Sequence, residues 1–443
     1  MLKDAMQRDP LTEAVEHYNA GRLDEAVRLC RAILAREPDQ TETNHLLGVI
    51  WFKQGRTAEA REALARATRS PRASAEMHNN YGAVLNVLGA FDQAAEAFKR
   101  ALGLDPNYPW ALNNLGCIYR DTKRPEAAIE AFRRAVALKP DFAEAEANLR
   151  SAYRDLIPAW HFAMMHDRQR NDVYEAAIGR ACKGKRVLEI GTGAGLLAMM
   201  AARAGAAHVT TCEAVAAIAD RARGIVAQNG FADRVTVIGK RSDELLVGRD
   251  MAQRAEVLIT ETFSSNLLDE GVLPTIEHAH QYLLTENAAI IPASASAMGF
   301  LIGGENLREM LFVGQVKGFN LSAFNDFAPP VLAVGLDGMP HEVLSDDTEL
   351  FGFDFRERQF PMARRPVTMV ATQAGLATGV AQWIKIALDG ESEYRNRPSA
   401  KGEHAHWSHL VYRFPRPIPV EPGKAIQLAV RHDRTQINVD LMG

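Results

Sequence analysis

Over the first third of the chain, apolar residues return every three to four positions, the spacing of a helix face. Small residues keep a longer period inside that pattern. Gly21, Gly55 and Gly89 stand 34 apart, as do Gly48, Gly82 and Gly116, and likewise Ala26, Ala60, Ala94 and Ala128. Lys123 takes the next place in the first series. Leu64, Phe98 and Phe132 follow an alanine by four positions, and Ala67, Ala101 and Ala135 come three further on. Pro38, Pro106 and Pro140 then forbid the helix to continue, and Pro71 sits one place out of register. The pattern predicts helix pairs over about 7–40, 41–74, 75–108 and 109–142, with a half unit to about 156, where Leu149 and Tyr153 hold the register. Beyond that, short apolar runs (VLEI, HVTTC, RVTVI, AEVLIT) alternate with helical stretches. From about 293 the runs alternate apolar and polar (PVTMVATQ, QWIKIAL, HLVYRF, AIQLAVRH, INVDLMG), as strands do.

The period, the small residues and the prolines resemble the tetratricopeptide repeat, a helix-hairpin solenoid that implies a binding surface and no chemistry of its own. Asn80, Asn114 and Asn148 share the same spacing on the first helix of each unit. An amide both donates and accepts, so a ladder of three on the concave face is suited to pair with the backbone of an extended protein substrate. Solvated helix positions are the alternative.

Composition narrows the partners. Lys+Arg 51 against Asp+Glu 55 gives a formal charge of -4 over 443 residues, so no chain-wide basic field attracts nucleic acid or a membrane surface. No apolar run is long enough to span a bilayer, and the first residues lack a secretory h-region, so a cytoplasmic protein is expected. Cys30, Cys117, Cys182 and Cys212 lack CxxC spacing and imply neither disulfides nor a zinc site. His278 and His280, at i and i+2, point apart on a helix, and no metal is expected.

The stretch KGKRVLEIGTGAGLLAMMAARAG reads as a strand, a turn at Gly191, Gly193 and Gly195, and a helix. Glycines let the backbone approach a ligand closely, and the helix start offers unpaired N–H groups. GxGxG, with Glu189 inside the strand, resembles the S-adenosylmethionine (SAM) methyltransferases, not the GxGxxG dinucleotide fingerprint. Glu213 ends the next strand about 20 residues on, placed for the ribose hydroxyls; Ser242 and Asp243 follow the third strand, where this fold holds adenine. Glu189 is expected to orient the glycine loop.

Glu261 closes the fourth strand, and Glu270 follows nine residues later in TETFSSNLLDEG. This resembles the double-glutamate hairpin of protein arginine N-methyltransferases, nearest to members outside the asymmetric-dimethylating group. The resemblance implies that both acids hold a substrate guanidinium. MMHDRQRN resembles the family's cofactor-covering helix, which would set Arg170 against the methionine carboxylate and Asp167 nearby. AHWSHLVY resembles its threonine-histidine-tryptophan loop, which would make His406 the partner of Asp167 and Trp407 a wall of the arginine channel. Ala405 stands in place of the threonine, and the aromatic YFxxY helix is not evident, Trp160, His161 and Phe162 lying close to its place. The implied architecture is a repeat solenoid over 1–156, a Rossmann-like SAM domain over 157–292 and a β-barrel substrate domain over 293–443, with a helical dimerisation arm at 303–330 and hence a homodimer. Two other functions fit the same motifs: a repeat adaptor with an inactive SAM module, and a methyltransferase for a small guanidino compound or another nitrogen nucleophile.

Overall fold

The computed structural model describes residues 9–157, 160–399 and 408–442. It divides into two compact units, Met1–Pro158 and Ala159–Gly443.

The first unit is a run of antiparallel helix pairs. They are α1 (Pro10–Asn19) with α2 (Leu23–Leu34), α3 (Thr41–Lys53) with α4 (Thr57–Arg69), α5 (Ala75–Val87) with α6 (Phe91–Leu104), α7 (Pro109–Asp121) with α8 (Pro125–Leu138), and the unpaired α9 (Ala143–Leu156). The periodic residues each have a steric task. Gly21, Gly55 and Gly89 turn the chain in the left-handed region at φ near +75°, and Lys123, next in the series, does the same at 56°. A Cβ on Gly82 would lie 2.6 Å from Phe98 Cε1, and one on Gly116 would lie 2.6 Å from Phe132 Cε1. Only a glycine lets the two helices of the hairpin close over those rings. Ala26, Ala60, Ala94 and Ala128 have no exposed surface.

The second unit begins with α10 (Trp160–His166) and α11 (Arg168–Ala181). Then come β1 (Arg186–Ile190), α12 (Leu196–Arg203), β2 (His208–Cys212), α13 (Ala216–Gln228), β3 (Val235–Ile238), β4 (Ala255–Thr260), α14 (Val272–His278) and β5 (Leu284–Ile291). The five strands form one parallel sheet in the order β3-β2-β1-β4-β5. The order reverses between β1 and β4, and the crevice beyond their carboxyl ends is where open α/β sheets bind ligands. β5 shows no alternation that would separate it from the helix before it, so the sequence pattern predicts no strand there.

The remaining strands are antiparallel: β6 (Ser294–Gly303), β7 (Gln315–Val316), β8 (Phe319–Asn320), β9 (Val331–Val334), β10 (Glu342–Val343), β11 (Thr348–Asp354), β12 (Ala363–Val370), β13 (Gly375–Ala387), β14 (Glu393–Arg395), β15 (His409–Val420), β16 (Ala425–His432) and β17 (Ile437–Leu441). β10-β6-β13-β15-β9 form the spine of a seven-stranded sheet, with β11 on β6 and β14 on β13, and β12-β16-β17 form a second sheet. The barrel expectation is corrected to this extent: among the described residues the ladders do not close into a single ring. One continuous apolar core, from Val187 and Leu258 to Val380, Tyr412 and Val430, joins the parallel and antiparallel sheets. Residues 303–330 contain the helix α15 (Glu305–Leu311) and the β7–β8 hairpin, and they expose Phe319, Phe324 and Phe327 at 72%, 70% and 80%.

Candidate active site

A cleft opens at the sheet reversal, and its walls include Arg170, Glu189, Gly191, Gly193, Glu213, Ser242, Glu261 and Glu270. Four chain segments far apart in sequence meet there because four strand ends do.

The glycine loop is built for close approach. Gly191, Gly193 and Gly195 take φ of 91°, 49° and 81°, a region other residues avoid. A Cβ on Gly191 would come within 3.2 Å of Thr262 Cγ2. Gly195 itself is not part of the wall; it starts α12 and donates its N–H to Thr192 O at 2.7 Å. Glu189 lies under the loop, 1% exposed, and accepts from Ala198 N at 3.1 Å and from Thr211 Oγ1 at 2.5 Å. Burial pushes its carboxyl up to about 8, against those two hydrogen bonds. It acts on the loop from beneath, as expected. Glu213 accepts from Gly193 N and Val215 N, both at 3.1 Å, one on each carboxylate oxygen. Each oxygen keeps a lone pair for a ligand hydroxyl. Asp243 does not line the cleft; it pairs with Arg241 at 3.1 Å, while its neighbour Ser242 does face the cleft.

At the other end of the cleft, Arg170 and Glu261 form a two-pronged ion pair, Nε to Oε1 at 2.8 Å and Nη2 to Oε2. Their side chains are 3% and 6% exposed. Arg170 Nη1 also donates to Asn171 Oδ1 at 2.7 Å, and its guanidinium lies 5.1 Å from the centre of the Tyr174 ring. Burial lowers the Arg170 pKa from a very high starting value, so it remains a cation. Glu270, across the cleft, has no such partner among the described residues. Surrounding protein and the charge of Asp269 raise its carboxyl, to about 7, but the residue is exposed to water, so this shift is an upper bound.

Asp167 caps α11, accepting from Arg170 N at 2.9 Å through Oδ1, and Oδ2 accepts the Tyr394 hydroxyl at 2.8 Å. Nothing in the sequence marked Tyr394: the contact spans 227 residues and belongs to no motif. His406 and Trp407 lie outside the described residues. No group of three or more potential metal ligands occurs among the described residues.

In the repeat unit the three asparagines are half-buried and already engaged. Asn80 Nδ2 meets His45 Nε2, Asn114 Nδ2 donates to Asn79 Oδ1, and Asn148 Nδ2 donates to Asn113 Oδ1, each at 2.9 Å. All three contacts reach back 35 positions to the previous repeat. The ladder therefore ties repeat to repeat, so these amides are not freely solvated positions. Asn148 Nδ2 also reaches Cys117 Sγ at 3.5 Å. One N–H and the carbonyl of Asn80 and of Asn114 face no partner among the described residues.

Residues 18–80 and 73–141 match family models described as tetratricopeptide repeat. The arginine N(omega)-methyltransferase of Streptomyces achromogenes subsp. streptozoticus is 34% identical over 274 residues, covering 61% of this chain and 75% of that protein. Protein arginine N-methyltransferase 7 of Drosophila erecta is 33% identical, covering 62% of this chain, which spans about half that relative's length (47%). The fold also resembles the Trypanosoma brucei PRMT1 enzyme-prozyme complex with AdoHcy (TM-score 0.56, 22% identity, 66% of this chain and 95% of that one). It resembles PRMT6 as well (TM-score 0.53, 20% identity, 66% and 100%). With its glycine loop, its paired acids and a relative matched along three quarters of its length, the chain belongs to the arginine N-methyltransferase family, preceded by tetratricopeptide repeats.

Proposed function

We propose that the protein transfers a methyl group from SAM to a guanidinium nitrogen of a protein arginine, with the repeats holding the protein substrate. The observation that supports this most directly is the Arg170–Glu261 contact. The acid at the end of β4 already grips a guanidinium through both oxygens in a pocket that excludes water. Glu270 stands across the cleft, and no hydrogen bond or ion pair occupies its carboxyl among the described residues.

The residues of the cleft fit SAM. The loop of Gly191 and Gly193 admits the methionine portion, Glu213 has lone pairs for the ribose, Ser242 lies at the adenine end, and Arg170 would meet the carboxylate. When bound, SAM supplies a methyl group on a sulfonium, which needs no activation by the protein. A guanidinium is a poor nucleophile because its electron pair is delocalised. Glu261 and Glu270 would fix one terminal nitrogen in line and draw the positive charge onto the other nitrogens. That role needs both acids ionised. Arg170 sets a positive charge directly against Glu261, and the incoming cation would do the same for Glu270. Asp167 with His406, and Trp407 at the channel wall, complete the site proposed from the family motifs. Phe319, Phe324 and Phe327 on the segment 303–330 suit the arm of a homodimer. Among the described residues no helix is long and apolar enough to cross a membrane.

One observation favours a second substrate. The Streptomyces relative is named for arginine itself, so free arginine is the alternative acceptor. Incubation with methyl-labelled SAM and either an arginine-containing protein or free arginine, followed by mass spectrometry of the product, separates the two. Label on protein arginine, competed only weakly by free arginine, supports the proposal. Label on another side chain, or none from a protein that binds SAM, overturns it.

A further inference from the structure

The hairpin that carries Glu261 and Glu270 is fastened at its tip by a buried polar network that takes no part in binding the cofactor. After Glu261 the chain runs through Phe263, 2% exposed, and turns at residues 264–268. Leu267, with φ of 76°, and Leu268 are wholly buried there. Two strands of the C-terminal sheets, β13 and β17, bond to this tip, and a third, β15, braces both of them. Gln382 of β13, with no exposed surface, donates Nε2 to Ser265 O at 2.8 Å. The hydroxyl of Tyr412, on β15, lies 2.9 Å from both Gln382 Oε1 and Ile437 O, two acceptors for its single proton. Asn266 accepts from Ile437 N at 2.9 Å through Oδ1 and donates Nδ2 to Ile437 O at 3.3 Å.

The contacts that reach the tip end on main-chain atoms or on Asn266, so they specify where the hairpin backbone lies and not merely that it is buried. Apolar packing would tolerate small slides of the tip. Directional bonds from two strands, held together by Tyr412, tolerate far less. A clamp that must hold a guanidinium nitrogen in line with a methyl group needs its acids placed to within about half an ångström. Gln382, Tyr412 and Asn266 are not part of the cleft wall and touch neither Glu261 nor Glu270.

We propose that Gln382, Tyr412 and Asn266 are positioning residues for methyl transfer, fixing the two glutamates relative to each other through the hairpin tip. The inference rests on the reading of Glu261 and Glu270 as the guanidinium clamp. It assigns a function to the C-terminal strand β17, whose Ile437 supplies both main-chain groups that Asn266 holds.

The test uses the full chain with Tyr412→Phe, Gln382→Ala and, as control, Glu270→Gln. SAM affinity and stoichiometry are measured by calorimetry, and turnover is expressed per SAM-binding site. That normalisation removes losses due to misfolded protein, so a purely structural network would leave turnover per site at the wild-type level. The expected result is SAM affinity within about twofold of wild type, and turnover reduced at least tenfold in both network variants, because small misplacement of reacting groups costs up to about a hundredfold. Tyr412→Phe keeps the ring and guards against Gln382→Ala simply unfolding. If Glu270→Gln is inactive while both network variants turn over normally per site, the inference is overturned. If Glu270→Gln itself turns over normally, the clamp reading fails instead.

Discussion

The two glutamates, equivalent as a motif, stand in different electrostatic surroundings, and replacing each by glutamine should separate their roles. Glu261→Gln removes one charge from a pair whose members are 3% and 6% exposed, leaving the Arg170 cation buried without its counter-charge. Deleting one partner of a buried pair costs about 3–5 kcal/mol. Here the glutamine oxygen can still face Arg170 Nε, Asn171 Oδ1 remains 2.7 Å from Nη1, and the Tyr174 ring remains 5.1 Å away. The expected loss is therefore lower, about 2–3 kcal/mol, or roughly 3–5 °C in Tm for a unit of this size. Because Arg170 is also the residue proposed for the SAM carboxylate, Glu261→Gln should change SAM affinity as well as stop turnover. Glu270→Gln should stop turnover alone. Its carboxyl, raised to about 7, stabilises the fold only while protonated: that contribution is complete below about 4.5 and is lost as pH climbs through 7. The Tm of Glu270→Gln relative to wild type should thus rise between pH 5 and pH 8. Thermal melts at both pH values, calorimetry with SAM, and initial rates on an arginine peptide make the comparison. Equal Tm losses in the two variants, or a Glu261→Gln protein as stable as wild type with unchanged SAM affinity, would show that the ion pair does not do what the geometry says.

Four further outcomes are expected. Glu213→Ala should weaken SAM binding by about 1–3 kcal/mol, and unchanged affinity in calorimetry would remove Glu213 from the ribose site. The kcat/KM of wild type on an arginine peptide should rise through pH 7 as Glu270 ionises, and the rise should be absent from any residual activity of Glu270→Gln. Gly82→Ala would place its Cβ 2.6 Å from the Phe98 ring, and the repeat unit should lose about 1–3 kcal/mol in urea melts; an unchanged midpoint would mean that the ring has room to swing away. Replacing Asn80, Asn114 and Asn148 together by alanine should lower the stability of the repeats and raise KM for a protein substrate while leaving kcat on a short arginine peptide unchanged; a stable variant with unaltered KM would remove the asparagines from both roles.

What was legible in the sequence is what repeats or what is local. The period of 34 names positions whose steric task is the same in every copy, and the structure shows that task at Gly82 and Gly116 against Phe98 and Phe132. The glycine loop and the acid after β2 lie within one strand-turn-helix-strand unit, so spacing alone predicts that they meet, and Gly193 N does reach Glu213. Arg170 and Glu261 are 91 positions apart, and each was assigned to a different ligand. Their meeting depends on α11 crossing the end of β4, which no local pattern encodes. Tyr394 on Asp167, and Gln382 on Ser265, are hidden in the same way, by contacts spanning 227 and 117 positions to strands of the antiparallel sheet.

The asparagine ladder shows where one period is compatible with more than one partner. An amide every 34 residues is what a backbone-binding surface needs, and equally what a repeat needs to hydrogen-bond to the one before it. Periodicity cannot choose between them, because both a peptide in the groove and a neighbouring repeat present themselves once per unit. Burial can choose. Helices of successive repeats pack at about 8–10 Å between axes, close enough for a side chain on one to reach the same face of the next. At that distance Asn114 meets Asn79, and Asn148 meets Asn113, at 2.9 Å. One donor of each amide is spent before any substrate arrives, and a peptide in the groove would find an acceptor and a single N–H at Asn80 and Asn114. Asn148 offers less, because its carbonyl also takes Arg120 Nη1 at 3.2 Å. Any grip of the repeats on a peptide backbone is therefore strongest at the third and fourth repeats, on α5 and α7, and falls off toward α9.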